Sequence, residues 1–289
     1  MQQLPTLPLR NGLQQHLRQA QEKIDSLPNY YKKVKQAKVL WQSKKKTNAQ
    51  KSAFNRIEKA LQQAGNHCHY CEGALGTSIE HFYPRGFYPN LTFVWDNYLW
   101  SCQTCNTRYK GAQFALFPAT NSAKVVPLVK DRSFVPPSSQ DAVCLHPRVD
   151  DALDYWQLDF ETGLYSIKTN LSSRAQARAQ YTLDLLQLNE RPNLVQGRQK
   201  AYQQYQALLE ACAQVQAPSS AAYIKELLPK KQASFYKQAL VQQQAFAQQY
   251  LQQQFLQLPF RSVWRRMQQA NQQSSLQQLF EKAPQTLHW

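Results

Sequence analysis

Four cysteines arranged as two close pairs restrict the fold of this chain more than any other feature of its sequence. Cys68 and Cys71 are separated by two residues, as are Cys102 and Cys105. Each Cys-x-x-Cys turn directs two thiolates to one point, and two such turns complete the tetrahedral sulfur site that suits Zn²⁺. Because four thiolates close the metal to substrate, the spacing predicts a structural zinc and not a catalytic one.

The cellular setting expected for the chain favours metal binding over disulfides. The N-terminal residues MQQLPTLPLRNG lack the apolar core of a secretion signal, and no apolar run approaches the ~20 residues of a membrane span. We therefore expect a cytoplasmic protein that does not enter a membrane, in which thiols stay reduced. The other two cysteines, Cys144 and Cys212, stand alone and are expected to be buried thiols.

Helix and turn signals divide the chain into three segments. Residues 1–65 are predicted to form basic helices that end at Gly65, whereas glycines and prolines break any long helix in residues 66–117. Residues 118–289 are predicted to be mostly helical, with a β-hairpin near 155–168 where two partly alternating runs flank a glycine-containing turn. The predicted fold class is mainly α, with a small zinc-stabilised core and one short hairpin.

The chain is strongly basic, which indicates a polyanionic partner. It contains 34 lysines and arginines against 18 aspartates and glutamates, a formal net charge of +16. Residues 1–60 contain thirteen of the basic residues and three of the acidic ones. This excess favours nucleic acid, whose phosphates release counterions on binding, ahead of an acidic protein or a membrane surface. The alternative is a solvated helix face that binds nothing.

A set of polar residues lies between and just after the cysteine pairs, in the stretches IEHFYPRG and WDNYLWSCQTCNTRYKG. Their order resembles that of HNH endonucleases with a ββα-metal core. In that family an acidic residue or histidine precedes a histidine, a central asparagine follows, and a histidine or asparagine adjoins the second cysteine pair before a trailing lysine. The matching positions are Glu80, His81, Asn97, Asn106 and Lys110.

The resemblance implies a role for each residue in phosphodiester hydrolysis. His81 would be the general base, since a neutral imidazole can take a proton from water, and Asn97 would hydrogen-bond the backbone that presents it. Glu80 and Asn106 would supply oxygen ligands to a catalytic Mg²⁺ or Mn²⁺. Asn106 stands where the family's name has its second histidine, and an amide oxygen suits Mg²⁺.

Two cations after the second cysteine pair are expected to contact substrate. Lys110 and Arg108 lie on the segment that follows the second pair and are expected to meet phosphate. Phosphate contacts carry affinity without base specificity. DNA and RNA therefore both stay open as the substrate.

Further motifs extend the resemblance beyond the cysteine pairs. The runs CHYCE, LHPRVDDALDYWQLDFETGLY and LDLLQLNERPNLVQGRQKAY resemble the PtuB-like nuclease subunits of Septu-type antiphage systems, which also occur as retron effectors. This resemblance implies a nuclease effector that works with an ABC/SMC-like ATPase of the PtuA type. The chain contains no glycine-rich phosphate loop, so any use of ATP is expected from that partner.

Two alternatives stay open from the sequence. The chain is compatible with a stand-alone HNH enzyme of restriction, homing or repair type, in which the basic N-terminal segment binds substrate. It is also compatible with a zinc-knuckle adaptor that binds nucleic acid without catalysis. An assay for cleavage separates the adaptor from both enzymes, and binding to an ATPase separates the two enzymes.

Overall fold

The chain forms two compact units that are mainly helical. A computed structural model describes residues 1, 3–5, 8–119, 121–129, 135–137, 141–228 and 231–289, and within helix 274–282 it leaves the side chains of residues 274 and 275 undescribed. The first unit comprises residues Met1–Gln157 and Leu164–Leu194, and the second comprises Leu158–Gly163 and Val195–Trp289. Helices dominate, and the strands form small two-stranded sheets, which confirms the predicted balance.

The elements follow one another along the chain with short connections. The α-helices are α1 (Asn11–Asp25), α2 (Tyr30–Gln42), α3 (Asn48–Gln62), α4 (Ala152–Tyr155), α5 (Ser173–Leu186), α6 (Pro192–Gln216), α7 (Ala221–Leu227), α8 (Leu240–Gln257), α9 (Arg261–Gln269) and α10 (Ser274–Lys282). The strands are β1 (Ser78–His81), β2 (Tyr98–Ser101), β3 (Ala115–Leu116), β4 (Val126–Pro127), β5 (Trp156–Leu158) and β6 (Tyr165–Ile167). A π-helical segment covers Thr104–Lys110, and 3₁₀ turns cover Pro89–Leu91, Trp95–Asn97, Phe235–Lys237 and Pro284–His288.

Side-chain caps define the starts of two N-terminal helices. The Asn29 side chain accepts the Lys32 amide at the start of α2, and Thr47 forms a capping box with Gln50 at the start of α3. Leucine, isoleucine and phenylalanine repeat along one side of α1 and of α3, and these side chains are buried. Helix α1 packs against α2 and α3, and α3 packs against β2. The basic helices therefore lie directly on the strand pair that carries the polar residues.

Strands β1 and β2 pair antiparallel and form the base of that region. Ser78 lies opposite Ser101 at one end of the pair, and His81 lies opposite Tyr98 at the other. A Cβ atom at Gly76 would lie 2.1 Å from the Trp100 indole, so glycine is required for the indole to pack here. The strand pair and the π-helical segment thus follow in the order strand, strand, helix.

The hairpin predicted near 155–168 is confirmed, since β5 and β6 form a two-stranded sheet there. Gly163 in its turn has a φ of +70°, and a Cβ at this position would lie 2.4 Å from the carbonyl oxygen of Val195. Strands β3 and β4 were not predicted, because each contains only two residues and shows no periodicity.

The second unit has its own buried aromatic cluster. The Trp264 ring lies 4.7 Å from Phe255, 5.4 Å from Tyr205 and 5.6 Å from Phe280, measured between ring centroids. All four rings are buried, and the contacts join α6, α8, α9 and α10.

In the part of the chain that the structure describes, no helix combines the length and apolar character that a bilayer crossing requires.

Candidate metal centre and adjoining polar cluster

The four predicted zinc ligands converge at one buried point. The sulfur atoms of Cys68, Cys71, Cys102 and Cys105 all lie within 4.8 Å of one another, and the Sγ atoms of Cys71 and Cys102 are 3.9 Å apart. Four sulfurs bound tetrahedrally to zinc at about 2.3 Å would lie about 3.8 Å from one another. The donor set and its spacing therefore fit a tetrahedral metal such as zinc.

Neighbouring groups hold the cysteines in place. The Cys105 amide lies 3.4 Å from the Cys102 sulfur, as expected of a Cys-x-x-Cys turn. The His69 amide donates to the Trp100 carbonyl at 2.8 Å, and the Trp100 amide donates to His69 Nδ1 at 3.0 Å. This reciprocal pair ties the first cysteine turn to β2. His69 therefore has a structural part beside the metal centre and is not one of its ligands.

Arg191 also reaches the metal centre, from the turn between α5 and α6. Its guanidinium is buried and donates to the Cys105 sulfur at 3.3 Å. A hydrogen bond from a cation stabilises a thiolate, so Arg191 offsets part of the negative charge that four thiolates bring to the site. It lies in the run NERPN, but no spacing rule relates that run to Cys105.

Glu80 and Asn106 lie on the same face of the strand pair. Ser78 and Glu80 are two residues apart on β1, so their side chains point to the same face of the strand. The π-helical segment packs on this face, where the Asn106 side-chain amide donates to Ser78 Oγ at 2.9 Å. The Lys110 ammonium donates to Glu80 Oε1 at 2.6 Å and to the His81 carbonyl at 3.0 Å. The strand and the helical segment are thus joined by an ion pair and a neutral hydrogen bond.

The Glu80–Lys110 ion pair is almost entirely buried. Glu80 is 4% exposed and Lys110 is 0% exposed. Burial raises the pKa of Glu80, while the charge and hydrogen bond of Lys110 act in the opposite direction. The structure places the Lys110 ammonium on Glu80 and not at the surface, whereas Arg108 is exposed on the same segment.

The His81 imidazole has one nitrogen fixed by the backbone. Its Nε2 atom lies 2.9 Å from the Thr92 carbonyl oxygen, which can only accept, so Nε2 carries the proton and Nδ1 has the lone pair. The ring also contacts Trp41 at 4.2 Å and Tyr98 at 5.3 Å between centroids. The neutral tautomer is therefore one in which Nδ1 is the base.

The charge state of His81 follows from its surroundings. Burial is the main cause that lowers the pKa of His81 to about 3, and the positive charges of Arg85, Lys110 and Lys44 lower it further, while the Thr92 carbonyl acts against them. The imidazole is accordingly neutral near pH 7. A phosphodiester beside it would raise this pKa again, because a negative charge favours the protonated form.

Asn97 fixes the chain segment that follows β1. Its side-chain amide donates to the carbonyls of Tyr83 at 3.1 Å and Leu91 at 2.9 Å. Its side-chain oxygen, Oδ1, accepts a hydrogen bond from the Tyr83 backbone amide at 2.7 Å. Asn97 is 3% exposed, so these are buried bonds to backbone, as expected of an asparagine that holds a loop. The segment that it holds leads to Thr92, the hydrogen-bond partner of His81.

Sequence reasoning missed two residues that shape this region. Trp41, on α2, covers one side of His81, and its only sequence signal is an aromatic residue at the end of a basic helix. Arg148, from the run LHPRVDD, donates to the carbonyls of Tyr98 at 3.0 Å and Trp95 at 3.3 Å. It thereby ties the entry to β2 to a loop some fifty residues later in the chain.

The two predicted metals require different ligands, and the side chains present fit them to different degrees. Among the described residues, the cysteines are the only group of three or more His, Cys, Asp or Glu side chains that could hold a metal ion. Glu80 and Asn106 offer oxygen donors on one face, but an ammonium already occupies one carboxylate oxygen. Two protein oxygens fit Mg²⁺ only as part of a shell that water and phosphate complete.

Comparison with known proteins gives one partial similarity. A segment of 51 residues is 43% identical to the Septu protein PtuB of Bacillus thuringiensis, and it covers 16% of this chain and 20% of that protein. The match thus spans about a fifth of the relative's length. No family model and no solved structure matches the chain. The similarity supports a Septu-like relationship over this segment.

Proposed function

We propose that this protein is a metal-dependent HNH endonuclease that hydrolyses phosphodiester bonds in nucleic acid. The observation that carries the proposal is the fixed tautomer of His81, whose Nδ1 is available as a base because Nε2 is bound to the Thr92 carbonyl. His81 adjoins Glu80 on β1, and the paired strand β2 leads directly into the second cysteine turn. The order strand, strand, helix with cysteines at one end is the arrangement that a ββα-metal core requires.

In this proposal each residue of the polar cluster has one task. His81 takes a proton from the attacking water at Nδ1, and the Thr92 carbonyl stabilises the imidazolium that forms. Asn97 holds the intervening loop so that the carbonyl stays aligned. Glu80 and Asn106 would hold Mg²⁺ or Mn²⁺, which when bound neutralises charge on the scissile phosphate and the leaving oxygen. Arg108 would contact a neighbouring phosphate from its exposed position.

The Glu80–Lys110 pair bears on how such an ion would bind. An ammonium on one carboxylate oxygen competes with a divalent ion for the same charge. We infer that metal affinity is low in the free protein and rises when substrate phosphate supplies further oxygens. Lys110, predicted from its position to contact phosphate, would then act on substrate through Glu80, to which its buried ammonium is bound.

Cleavage by the purified chain tests the proposal. With Mg²⁺ or Mn²⁺, the protein should cut plasmid DNA or a structured RNA, and His81→Ala should abolish cutting while the zinc content stays at one per chain. His288→Ala is the matched control, since it removes an exposed histidine of the second unit and should leave cutting unchanged. A His81→Ala protein that cuts as fast as wild type would refute the assignment, and binding without any cleavage by wild type would favour an adaptor.

The cellular role that we propose is antiphage defence together with an ABC/SMC-like ATPase. It rests on the segment shared with the Septu protein PtuB and on the motifs of the PtuB-like family. The basic surface of the N-terminal segment supports nucleic acid as the substrate of such a complex. Co-expression with an ATPase encoded beside this chain should give a complex that co-elutes on size exclusion. Separate elution would refute the complex and leave the nuclease assignment standing.

A further inference from the structure

Two cations that neither sequence spacing nor the cysteine pairs point to lie around the Trp41 indole. Lys44 Nζ lies 4.2 Å from the centroid of the Trp41 ring, and Arg85 Cζ lies 5.9 Å from it. The same ring contacts the His81 imidazole at 4.2 Å. One indole is therefore in contact with the proposed base and with two positive charges.

The two cations come from separate parts of the chain. Lys44 lies just beyond α2, where its ammonium also donates to the Trp41 carbonyl at 3.3 Å. Arg85 lies in the segment between β1 and β2, two residues after Tyr83, whose backbone Asn97 binds. The fold therefore brings the two charges together, although they are far apart in the sequence.

Bringing two cations together costs free energy unless an anion offsets it. Burial is the main cause that lowers the pKa of Lys44, and the charges of Lys45 and Arg85 lower it further, while the charge of Glu58 acts against them. The charge of Glu80 acts in the same opposing sense on the pKa of Arg85. Within the described part of the chain neither Lys44 nor Arg85 forms an ion pair with a carboxylate, and the Glu58 carboxylate is bound to Lys45 at 2.8 Å. Both side chains are only partly buried, so an external anion can reach them.

We propose that Lys44 and Arg85 bind a backbone phosphate of the nucleic acid at the edge of the His81 site, with Trp41 setting their spacing. The inference rests on the proposed nuclease function and names the contacts that place its substrate. A guanidinium offers a planar fork to two phosphate oxygens, and an ammonium adds a point charge with donors beyond the one given to Trp41. The end of α2 and the residues just beyond it then form part of the active site.

This assignment gives the phosphate contact to residues other than those predicted from the sequence. Lys110 follows the second cysteine pair, yet its ammonium is buried on Glu80. Lys44 and Arg85 carry their charges beside the other face of β1, where the imidazole lies.

Binding measured in a protein that cannot cut tests the inference. In a His81→Ala background, fluorescence anisotropy is recorded over a salt series with a labelled DNA duplex and, separately, a labelled RNA hairpin of matched length. Lys44→Ala and Arg85→Ala should each weaken binding by about tenfold and reduce the slope of log Kd against log salt by about one. Arg85→Lys should recover part of the loss, because the charge returns without the fork.

The matched control is Lys225→Ala, which removes an equal charge from an exposed position on α7, in the second unit. All variants should retain zinc and melt as the parent does, which shows that they are folded. The inference is overturned if Lys44→Ala and Arg85→Ala bind as tightly as Lys225→Ala, or if the parent binds neither probe. If both substitutions weaken binding but the wild-type chain never cuts, the phosphate site stands and the proposed nuclease function fails.

Discussion

The cysteine cluster and the Glu80–His81 cluster lie at opposite ends of one strand pair, and they are built in different ways. The cysteine cluster, the candidate metal centre, takes its four sulfur atoms from two tight turns, each of which sets the spacing of two thiolates by itself. The polar cluster takes its contacts from α2, the loop after β1, and the π-helical segment. One cluster is set by the local geometry of two turns and offers the donor set for a metal, and the other is set by the packing of distant elements.

This difference predicts that the two clusters fail in different ways when they are damaged. We expect loss of the cysteine cluster to unfold the strand pair together with the residues that pack on it. The polar cluster should behave as a set of replaceable contacts, whose loss changes stability and chemistry while the metal stays bound. Substitutions on each side of β1 and β2 can break this distinction or sharpen it.

The largest effect is expected from Cys71→Ser. A structural zinc contributes on the order of 10 kcal/mol of apparent binding free energy, and its four candidate ligands join the first cysteine turn to the segment that follows β2. We expect loss of bound zinc and rapid proteolysis within the first unit, and a strong chelator should have the same effect on wild type. Zinc content and limited proteolysis measure both. Cys212→Ser changes a buried thiol on α6 and should leave zinc in place; a wild-type protein that folds without zinc would contradict the metal assignment.

The next largest effect is expected from Lys110→Met, which leaves the Glu80 carboxylate buried without its cation. Breaking one side of a buried ion pair costs about 3–5 kcal/mol, whereas replacing both charged partners costs much less. Urea denaturation should therefore show that the double variant Glu80→Gln/Lys110→Met is more stable than Lys110→Met alone. If the double variant loses as much free energy of unfolding as Lys110→Met, or more, the ion pair is unimportant for stability. Zinc content should be the same in wild type, Lys110→Met and the double variant.

The pH dependence of the same variant follows from the direction of the Glu80 pKa. Burial raises this pKa, and removal of Lys110 takes away the group that opposes the rise. A carboxyl whose folded-state pKa lies above its unfolded value stabilises the fold only at low pH. The deficit of Lys110→Met relative to wild type should therefore be largest near pH 7 and shrink toward the ordinary glutamate pKa of about 4.3. A deficit that grows as the pH falls would contradict this reasoning.

The contrast between the clusters also explains how far the sequence could predict this molecule. The metal ligands could be predicted because a Cys-x-x-Cys turn determines its own geometry. The hairpin at 155–168 could be predicted because its turn contains Gly163. The partner of Lys110 could not, because it depends on which face of β1 meets the π-helical segment, and no local spacing encodes that choice.

The same limit applies to the residues around His81. Trp41 lies forty positions earlier in the sequence, and its contact with the imidazole depends on how α2 packs. A histidine next to a glutamate carries almost no information by itself. It became informative only through its position between two cysteine pairs and in register with Asn97, whose bonds to Tyr83 and Leu91 the structure shows.

The smallest effect is expected where a residue from outside the cysteine turns contacts the metal centre. Arg191→Gln removes the guanidinium that donates to the Cys105 sulfur at 3.3 Å. Partners of this kind commonly change metal affinity by 10- to 100-fold, and we expect about tenfold faster zinc transfer to a chromogenic chelator with little change in melting temperature. Arg108→Gln is the control, because it removes an equal charge from an exposed position close to Cys105. If the two variants release zinc at the same rate, only overall charge matters; if Arg191→Gln alone is faster, the metal centre depends on the turn between α5 and α6 as well as on its own two turns.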